Sequence, residues 1–422
     1  MKNLYLFFAA TILTFTANTQ NFNEVNPSPF VDIGRGKSVM ADVDNDGHLD
    51  IIIAGNSYEN STQTDTVIVY RNDGTGNYTE ITGNSFLGVY RPAFDIADID
   101  DDGDIDILIT GANNGSLTAK LYINDGTGIF TEVVTTIFEA VENGTVNFAD
   151  VDNDGDQDVL LTGRNNNATS ISKLYINNGS GNFTENTGSP FTGVRNGVVE
   201  FADINGNGSL DLLINGELYI NDGNGNFSLQ TPANLTYFGY GDAAFEDIDN
   251  DGDLDLIITG SMPNQIQPIY TKLYLNDGTG VFTEITGTLF TNLRYSSVDF
   301  IDFNGDSYPD LLIGGVDTNG DKHATFFIND GSGNFTIAPQ QPIEAFSNGS
   351  LSIGDVDGDL DKDVLITGLY EKPSVFGGTV TARITRLYKL CNLELDQPTL
   401  NPISAICSLD EPQAPTATDN CS

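Results

Sequence analysis

Aspartates recur along the sequence in a pattern that favours binding of a divalent cation. A nine-residue stretch begins at positions 42, 98, 150, 203, 247, 302 and 355, reading DVDNDGHLD, DIDDDGDID, DVDNDGDQD, DINGNGSLD, DIDNDGDLD, DFNGDSYPD and DVDGDLDKD. Two carboxylates about 4 Å apart repel each other by about 1 kcal/mol even in bulk water. A bound cation turns that repulsion into attraction, and Ca²⁺ takes about six to eight oxygen ligands. The pattern therefore predicts calcium-binding loops.

The candidate ligands occupy positions 1, 3, 5, 7 and 9 of each stretch. Position 7 varies freely in residue type, which is expected if only its backbone carbonyl contacts the metal. The candidates are Asp42, Asp44, Asp46, His48 and Asp50; Asp98, Asp100, Asp102, Asp104 and Asp106; Asp150, Asp152, Asp154, Asp156 and Asp158; Asp203, Asn205, Asn207, Ser209 and Asp211; Asp247, Asp249, Asp251, Asp253 and Asp255; Asp302, Asn304, Asp306, Tyr308 and Asp310; and Asp355, Asp357, Asp359, Asp361 and Asp363.

Three of the stretches depart from this pattern. The fourth has asparagine at 205 and 207, so only two of its candidates carry charge, and we expect it to bind calcium most weakly. The sixth and seventh have Ser307 and Leu360 at position 6, where the others have glycine. A β-carbon opposes the positive φ that glycine permits there. The sequence predicts up to seven calcium sites, and the fourth, sixth and seventh depart most from the common pattern.

The spacing of the aspartates fits neither an EF-hand nor a calcium-binding β-helix repeat. An EF-hand needs glutamate at position 12 of its loop, but that position holds Ile53, Ile109 and Leu161 in the first three stretches. The β-helix repeats have a period of about nine residues, whereas these stretches start 44 to 56 residues apart. Solvated acidic turns without metal remain the alternative, and such turns do not require so regular a spacing.

The segments around each stretch predict the strands that hold it. A buried strand follows directly, as in DIIIAG and DILITG, with glycine five residues after the last aspartate in all seven copies. A second strand such as 120–123 ends in a turn such as Asn124-Asp125-Gly126, which favours a hairpin. A third strand such as 130–133 follows, and the strand 146–149 leads into the next stretch. Four antiparallel strands in about 50 residues are typical of one propeller blade.

Seven such repeats predict an all-β fold, a seven-bladed β-propeller of four-stranded antiparallel blades. The seventh repeat reaches its third strand, 383–390, but lacks the turn and the fourth strand. The segment NFNEV at 21–25 reads like the missing strand. We therefore expect residues 22–25 to pair with 383–390 and close the ring, which also removes exposed sheet edges.

With this loop, strand and repeat pattern, the sequence resembles the FG-GAP and VCBS repeats, over roughly residues 21–390. Repeats of this kind form the calcium-bearing propellers of integrin α subunits and of many secreted bacterial proteins. The resemblance implies a calcium role for the aspartates named above, and an extracellular or cell-surface adhesion or ligand-binding function. Propellers related to this family also occur in polysaccharide lyases.

The two ends of the chain predict export and a further module. Lys2 and the apolar run 4–15 match a secretory signal peptide, which we assign to residues 1–19, with the propeller at 20–390. Residues 391–422 contain Cys391, Cys407 and Cys421, an odd number, so one thiol is free or pairs outside this sequence. PTATDNCS resembles the start of a hyalin-like or immunoglobulin-like module, which implies a pair between Cys407 and Cys421. We read 391–422 as a linker and the start of a truncated module.

The overall charge excludes some partners. A net charge of −43, from 60 acidic and 17 basic residues, leaves no basic face for nucleic acid or an anionic membrane. No apolar stretch is long enough to insert into a membrane. Because 39% of residues are hydrophobic, the chain can fill a core despite this charge. We expect a monomeric propeller within a longer multidomain chain.

A ligand site is predicted from aromatic and basic residues before the first strand of several repeats. Phe30, Phe86, Phe191 and Phe290 are each followed by an arginine four or five residues later. Such residues suit a carbohydrate or an acidic group; the alternative is that they only pack between blades. The candidates are Tyr90, Arg91, Arg195, Tyr237, Tyr240, Arg294 and Tyr295.

Enzymatic activity is not predicted. The two histidines, His48 and His323, show no serine or aspartate relay in the sequence, and the cysteines lie only in the tail. Acidic residues are too abundant for a glycosidase pair to be recognised. The sequence thus predicts a secreted calcium-binding module for an extracellular glycan or protein. The alternatives are a polysaccharide lyase or hydrolase built on the propeller, and a structural spacer in a larger surface protein.

Overall fold

The protein is all-β in the part of the chain that the structure describes. A computed structural model describes residues 21–59, 62–134, 136–231, 235–236, 238–262, 268–374, 378–391, 393–395 and 417–419, and these contain strands and turns but no helix. None of them forms a helix that is long and apolar enough to cross a membrane. The signal-peptide prediction for 1–19 and the Cys407–Cys421 pairing lie outside the described residues.

The strands form repeated antiparallel sets of four, which we call units and number along the chain, with strands A to D in spatial order. Unit 1 contains β2 (Gly34–Ala41), β3 (Asp50–Glu59), β4 (Thr62–Asn72) and β5 (Tyr78–Glu80). Unit 2 contains β6 (Tyr90–Ala97), β7 (Asp106–Asn113), β8 (Ser116–Asn124) and β9 (Phe130–Glu132). Unit 3 contains β11 (Val146–Ala149), β12 (Asp158–Asn165), β13 (Ser170–Ile176) and β14 (Thr184–Asn186).

The remaining units have the same order of strands. Unit 4 contains β15 (Val199–Ala202), β16 (Asp211–Ile214), β17 (Glu217–Asn221) and β18 (Phe227–Leu229). Unit 5 contains β19 (Ala243–Glu246), β20 (Asp255–Ser261), β21 (Ile269–Asn276) and β22 (Phe282–Ile285). Unit 6 contains β23 (Arg294–Ile301), β24 (Asp310–Val316), β25 (Lys322–Asn329) and β26 (Phe335–Ile337). Unit 7 contains β27 (Leu351–Gly354), β28 (Asp363–Pro373), β29 (Thr379–Cys391) and, as strand D, β1 (Asn21–Glu24).

Three short strands lie outside this scheme. β10 (Val141–Glu142) pairs with both β8 and β12 and so joins units 2 and 3 into one nine-stranded sheet. β30 (Leu393–Leu395) pairs with β31 (Ala417–Asp419). The resemblance of the C-terminal segment to a hyalin-like module remains a prediction.

Strand B of each unit is buried on both faces, as the apolar runs predict. In β7, Ile107, Leu108 and Ile109 are at most 1% exposed. Successive side chains of a strand point to opposite faces of its sheet, so both faces of this strand must be covered. The covering layers are the neighbouring units.

The hydrophobic cores lie between consecutive units. Val43 and Ile52 of unit 1 pack with Phe94, Ile107 and Tyr122 of unit 2 in one such cluster. The described residues form seven clusters of this kind, one at each boundary from unit 1 to unit 7 and one between units 7 and 1. Each unit is therefore stabilised by both of its neighbours.

The N-terminal strand pairs with the last unit, as the sequence predicts, but over a different range. Residues 21–24 pair with 388–391, with Phe22 opposite Leu390, because β29 continues to residue 391. Phe22 is buried and stacks on Phe303 and Phe326 of unit 6, with ring centroids 5.6 and 5.3 Å away. Strand β1 thus contacts two units at once.

The A strands lie against one another in cyclic order. β2 contacts β6, β6 contacts β11, and the contacts continue through β15, β19, β23 and β27, which in turn contacts β2. They surround a central cavity of about 560 Å³ that is lined by residues of all seven A strands or the turns before them. We call this cavity the channel.

The aromatic residues before strand A pack on rings of their own units, whereas the alternative to ligand binding was packing between blades. Phe86 lies edge-on against Tyr122 of strand C, with ring centroids 4.9 Å apart, and the Tyr122 hydroxyl accepts a hydrogen bond from Leu87 N at 2.9 Å. Phe30, Phe138, Phe191 and Phe290 pack on the equivalent rings of units 1, 3, 4 and 6. These contacts fix the segment that leads into strand A.

Candidate metal centres

Each acidic stretch forms the loop between strands A and B, with two residues in the left-handed backbone region. Position 6 has positive φ in every loop, which glycine supplies in five of them. Ser307 and Leu360 adopt it as well, with φ of 70° and 74°, so the strain expected from their β-carbons is present. Position 4 also has positive φ throughout, which sequence reasoning missed. Its signal was the exclusive use of Asn, Asp and Gly, at Asn45, Asp101, Asn153, Gly206, Asn250, Gly305 and Gly358.

Position 1 holds the loop in this shape through backbone hydrogen bonds. In the first loop Asp42 Oδ1 accepts from Asp46 N at 3.1 Å and Asp42 Oδ2 accepts from Gly47 N at 2.8 Å. The same arrangement recurs at Asp150 and Asp247. The first carboxylate therefore fixes the turn and still has lone pairs directed into the loop.

Position 9 is buried at the start of strand B. Asp50 Oδ2 accepts a hydrogen bond from Val43 N at 3.0 Å, and Oδ1 accepts one from Asn72 N at 2.8 Å. Burial, with the neighbouring carboxylates adding to it, raises the pKa of Asp50 to about 6 and that of Asp106 to about 7. The equivalent aspartates of the other loops, from Asp158 to Asp363, have pKa values raised to about 6 or 7 for the same reason.

The folded chain brings three carboxylates together in five of the loops. In each, one oxygen from each of three residues lies within 4.8 Å of the other two. Positions 1, 3 and 9 form this group in the first three loops, and positions 1, 3 and 5 form it in the fifth and seventh. The groups are Asp42, Asp44 and Asp50; Asp98, Asp100 and Asp106; Asp150, Asp152 and Asp158; Asp247, Asp249 and Asp251; and Asp355, Asp357 and Asp359.

The hydrogen bonding of the aspartate at position 3 shows whether a cation would fit the group. In all five loops one buried oxygen of this aspartate has no hydrogen-bond partner: Oδ1 of Asp44, Asp100, Asp152, Asp249 and Asp357. A buried carboxylate oxygen without a donor costs about 1–3 kcal/mol or more. A cation at the centre of the group would satisfy these oxygens, so the residues fit a hard divalent ion.

In the fourth and sixth loops, hydrogen bonds from within the loop stabilise the aspartates. Both have asparagine at position 3, and its amide donates a hydrogen bond inside the loop. Asn205 Nδ2 donates to Asp211 Oδ2 at 3.0 Å, and Asn304 Nδ2 donates to Asp306 Oδ2 at 2.9 Å. Among the described residues neither loop contains a group of three converging carboxylates. The seventh loop, despite Leu360, does contain one.

Position 7 points its side chain away from these groups. Asp104 accepts a hydrogen bond from Asn45 Nδ2 of the preceding loop at 2.6 Å, and Ser209 is bonded to Asn153 in the same way at 3.2 Å. This geometry accounts for the variable residue type at position 7. The proposed contribution of its backbone carbonyl stays a prediction.

Two loops also have a basic neighbour. Arg71 Nε forms an ion pair with Asp44, and Lys389 Nζ lies 3.2 Å from Asp357 Oδ2. Both bases also reach the next unit, because Arg71 donates to Thr127 O at 3.3 Å and Lys389 donates to Thr75 O at 3.0 Å. These cations reduce carboxylate repulsion in units 1 and 7.

An asparagine at the end of strand C links six of the seven loops to the next unit. Asn124 Nδ2 of unit 2 donates to Val43 O, at position 2 of the first loop, at 2.8 Å. Unit 7 lacks this link because Leu390 occupies the position, and the stack of Phe22 on Phe303 lies at that boundary instead. The six links are Asn72 to Val356, Asn124 to Val43, Asn177 to Ile99, Asn221 to Val151, Asn276 to Ile204 and Asn329 to Ile248.

The predicted ligand-binding residues lie at the other end of strand A. Arg91, Tyr240 and Tyr295 line the mouth of the channel together with Arg35, whereas Arg195 and Arg294 lie one residue earlier in their units than this position. Arg294 stacks on Tyr295, and Arg91 stacks on Tyr90. Tyr237 lies outside the described residues.

Neither histidine belongs to a carboxylate group of this kind. His48 is in the first loop, where its backbone N–H donates to Asp46 at 3.0 Å. His323 Nε2 lies 3.5 Å from Asp317 Oδ2. The structure adds acidic residues inside the channel that sequence reasoning did not single out, namely Glu200, Asp242 and Asp299.

Comparison with known proteins identifies the repeat. A family model described as FG-GAP-like repeat matches residues 42–109, 98–161, 150–214, 215–258, 247–313 and 302–366. No curated protein sequence matches the chain. A solved structure that is similar is the subtype N11 neuraminidase-like protein of A/flat-faced bat/Peru (H18N11), with 8% identity and a TM-score of 0.35 over 87% of this chain and 93% of that one. A TM-score at that level supports no inference. Because the repeat model matches most of the sequence, the chain belongs to the FG-GAP-like repeat proteins.

Proposed function

We propose that the protein is an exported, calcium-stabilised β-propeller of seven blades that serves as a ligand-binding or adhesion module. The observation that carries this proposal is the set of five aspartate groups, each with a buried position-3 oxygen that lacks a donor. A buried oxygen without a donor destabilises the fold, and its recurrence in five separate loops is explained if a bound ion offsets that loss. Extracellular fluids contain enough calcium for sites with dissociation constants of about 0.1–1 mM.

The closed ring is supported by the contacts of the units. Each unit shares a hydrophobic core with the next, and unit 7 shares one with unit 1. Strand β1 would complete the seventh blade and so join the two ends of the chain. Closure by an exchanged strand protects the edges of the first and last blades.

Calcium would be held by the carboxylates of positions 1, 3, 5 and 9 together with the backbone carbonyl of position 7. The ion supplies positive charge that neutralises the converging carboxylates. We assign calcium to loops 1, 2, 3, 5 and 7. Loops 4 and 6 would bind weakly or not at all, because an asparagine amide already donates to their aspartates.

A binding function is supported by the family and by the exposed end of the ring. FG-GAP-like repeats are typical of extracellular proteins, and the N-terminal sequence matches a secretory signal. The channel mouth carries arginine and tyrosine side chains, unlike the acidic end that holds the loops. Its ligand would be an extracellular glycan or protein.

Thermal melting with and without calcium tests the proposal. Calcium at about 100 times its dissociation constant adds about 2.7 kcal/mol for each occupied site. We expect the midpoint to rise by many degrees in about 10 mM Ca²⁺ relative to a chelator, and much less in Mg²⁺ at the same ionic strength. Equal midpoints in calcium and chelator would contradict the proposal.

A second candidate, a polysaccharide-acting enzyme, is favoured by the acidic residues in the channel. Burial raises the pKa of Glu200 well above its usual range, with Asp242 adding to the shift, as a general acid requires. Asp242 accepts hydrogen bonds from Ser297 Oγ at 3.0 Å and Val298 N at 3.1 Å, which hold it in place. Cleavage of a polysaccharide that is lost in Glu200→Gln would favour the enzyme. Binding without product would favour the module.

A further inference from the structure

Seven residues surround the mouth of the channel, one from the start of each unit. They are Arg35, Arg91, Asn143, Asn196, Tyr240, Tyr295 and Asn348, and they line a cavity of about 430 Å³. We call them the collar. Strand A separates the collar from the acidic loop in every unit, so the two features lie at opposite ends of the A strands.

The collar backbone is left-handed at every position. Its seven φ values lie between 47° and 56°. Between Asn143 and Asn348, this conformation directs the N–H of each collar residue to the carbonyl of the collar residue before it. Asn196 N donates to Asn143 O at 2.6 Å, and the series continues through Tyr240 and Tyr295 to Asn348, with distances of 2.6 to 2.9 Å. These hydrogen bonds fix the backbone shape of the collar from Asn143 to Asn348.

The fold does not require the large side chains found there. A left-handed conformation is unfavourable for an ordinary residue, while glycine adopts it freely and asparagine tolerates it. Three collar positions use asparagine, in keeping with this tolerance. Arg35, Arg91, Tyr240 and Tyr295 adopt this backbone conformation despite the strain. The backbone hydrogen bonds between Asn143 and Asn348 do not depend on side chains. Strained residues of this kind cluster at functional sites.

The collar arginines are not neutralised by acids. Three other arginines pair with acids, namely Arg71 with Asp44, Arg164 with Glu142 and Arg386 with Asp32. In the described part of the chain Arg35 and Arg91 have no carboxylate within ion-pairing distance. Both are exposed at the mouth. In a protein with a net charge of −43, two unpaired arginines side by side leave a local positive site.

One tyrosine holds both guanidinium groups in place. Arg35 Nη1 donates to the Tyr90 hydroxyl at 2.5 Å, and the Arg91 guanidinium lies 5.3 Å above the Tyr90 ring. Arg91 Nη1 also donates to Asn143 Oδ1 at 2.9 Å. Each guanidinium has about five N–H donors, so others remain for a ligand. Two fixed forks suit the planar carboxylate group.

The opposite part of the collar suits a sugar. Tyr240 and Tyr295 pack edge to face with ring centroids 5.7 Å apart, and Arg294 lies 4.9 Å above the Tyr295 ring. Phenol hydroxyls and the amides of Asn196 and Asn348 can exchange hydrogen bonds with sugar hydroxyls. A cavity of about 430 Å³ has room for one or two sugar rings.

We propose that the collar binds an acidic saccharide, with its carboxylate held by Arg35 and Arg91 and its sugar ring against Tyr240 and Tyr295. This inference rests on the proposed binding function and names the ligand class and the site. Calcium has no part in it except to stabilise the propeller.

Isothermal titration with trigalacturonate in about 0.15 M NaCl and 2 mM Ca²⁺ tests the inference. The matched probes are its methyl ester, which lacks the charge, and hexaglutamate, which has carboxylates without sugar. We expect trigalacturonate to bind at least tenfold more tightly than either. The double variant Arg35→Gly/Arg91→Gly should lose at least tenfold in affinity, because it loses two charge-assisted contacts.

Glycine makes the variant informative because it relieves the backbone strain. Its calcium-dependent melting midpoint should equal or exceed that of the parent, so loss of binding would not reflect unfolding. Ala168→Gly is the control, since Ala168 has φ of 59° in a turn away from the mouth, and it should leave binding unchanged.

Three results would overturn the inference: no binding of trigalacturonate, equal binding of the ester or of hexaglutamate, or full affinity in the double variant. Each of these leaves the calcium-dependent melt, and with it the proposed propeller, untouched. A melting midpoint that is the same with and without calcium would refute the proposed calcium role, but it would not alter the result of the binding test at the collar.

Discussion

At the scale of single residues, the residue type at position 3, aspartate or asparagine, decides whether a loop has a buried oxygen that lacks a hydrogen-bond donor. Aspartate leaves one buried oxygen without a donor, as at Asp100. Asparagine supplies its own N–H to a neighbouring carboxylate, as at Asn205. An amide hydrogen thus takes the place where the other loops would hold an ion.

Exchanging these two residue types should change the number of bound calcium ions. Asp100→Asn places an amide in the second loop and should remove one ion of five. Asn205→Asp recreates in the fourth loop the carboxylates of positions 1, 3 and 9 and should add one. Calorimetric stoichiometry measures both. An unchanged stoichiometry in both variants would contradict the assignment of sites by position 3.

The position of Glu200 in the channel predicts that the stability of the fold depends on pH. Burial raises its pKa well above the usual range, Asp242, Asp299 and Asp95 act in the same direction, and Lys37 opposes them. The stability that the protonated group contributes is complete below the pKa of an unfolded glutamate. It is lost as pH rises toward the higher folded pKa.

Replacing this glutamate should therefore stabilise the protein at higher pH. In saturating calcium, Glu200→Gln should raise the melting midpoint by a few degrees at pH 8 and change it little at pH 4.5. Glu185→Gln on strand D is the matched surface control, because its partner Lys173 also pairs with Glu139. A midpoint that falls at pH 8 in Glu200→Gln would show that the carboxylate is needed in its charged form.

At the scale of strands and loops, the asparagine that ends strand C couples neighbouring units to the acidic loops. Asn221 Nδ2 donates to Val151 O of the preceding loop at 2.7 Å and to Leu210 O at 3.0 Å, while its Oδ1 accepts from Gly223 N at 3.1 Å. One side chain therefore joins its own hairpin turn, its own loop and the loop of the neighbouring unit.

Truncating this asparagine should weaken the boundary between units 3 and 4. Asn221→Ala leaves buried carbonyl and N–H groups without partners, and we expect a loss of about 2–3 kcal/mol in the free energy of unfolding. Denaturant titration in saturating calcium measures it. Asn167→Ala, at an exposed turn residue, should be nearly neutral. Equal effects of the two substitutions would contradict the link.

At the scale of the whole molecule, the boundary between units 6 and 7 differs from the rest. It lacks the asparagine link, since Leu390 replaces it, and it holds the stacked rings of Phe22, Phe303 and Phe326. Phe22 lies in β1, the first described strand, whereas the other strands of unit 7 come from the last repeat. Hydrophobic and aromatic packing thus replaces a polar link where the two ends of the described chain meet.

Removing β1 should destabilise the whole of the proposed propeller. A chain that begins at Val25 would lose four strand pairings and expose the core around Phe326, so its melting midpoint should fall by several degrees or more. A chain that begins at Gln20 is the control. Phe22→Ala should cost about 3–5 kcal/mol by itself. Identical melting of the two truncated chains would contradict closure by the N-terminal strand.

Features that depend only on neighbouring residues were predictable from the sequence. Alternating carboxylates and a glycine at position 6 specify a loop, four consecutive apolar residues specify a buried strand, and Asn-Asp-Gly specifies a turn. Ser307 and Leu360 show the limit of this local information, because both adopt the positive φ of glycine although their β-carbons oppose it. The pairing of β1 with β29 was also predictable, since a missing strand at one end matched a spare one at the other.

Features that depend on contacts between units became visible in the folded chain. The Asn124 link to Val43 and the circle of collar residues join positions about 45 to 80 residues apart, and no spacing in the sequence marks them. Sequence reasoning placed Arg195 with Arg91, but the collar position in unit 4 is Asn196. A shift of one residue turns a strand's side chain to the other face, so only the assembled register shows which side chains meet at the mouth.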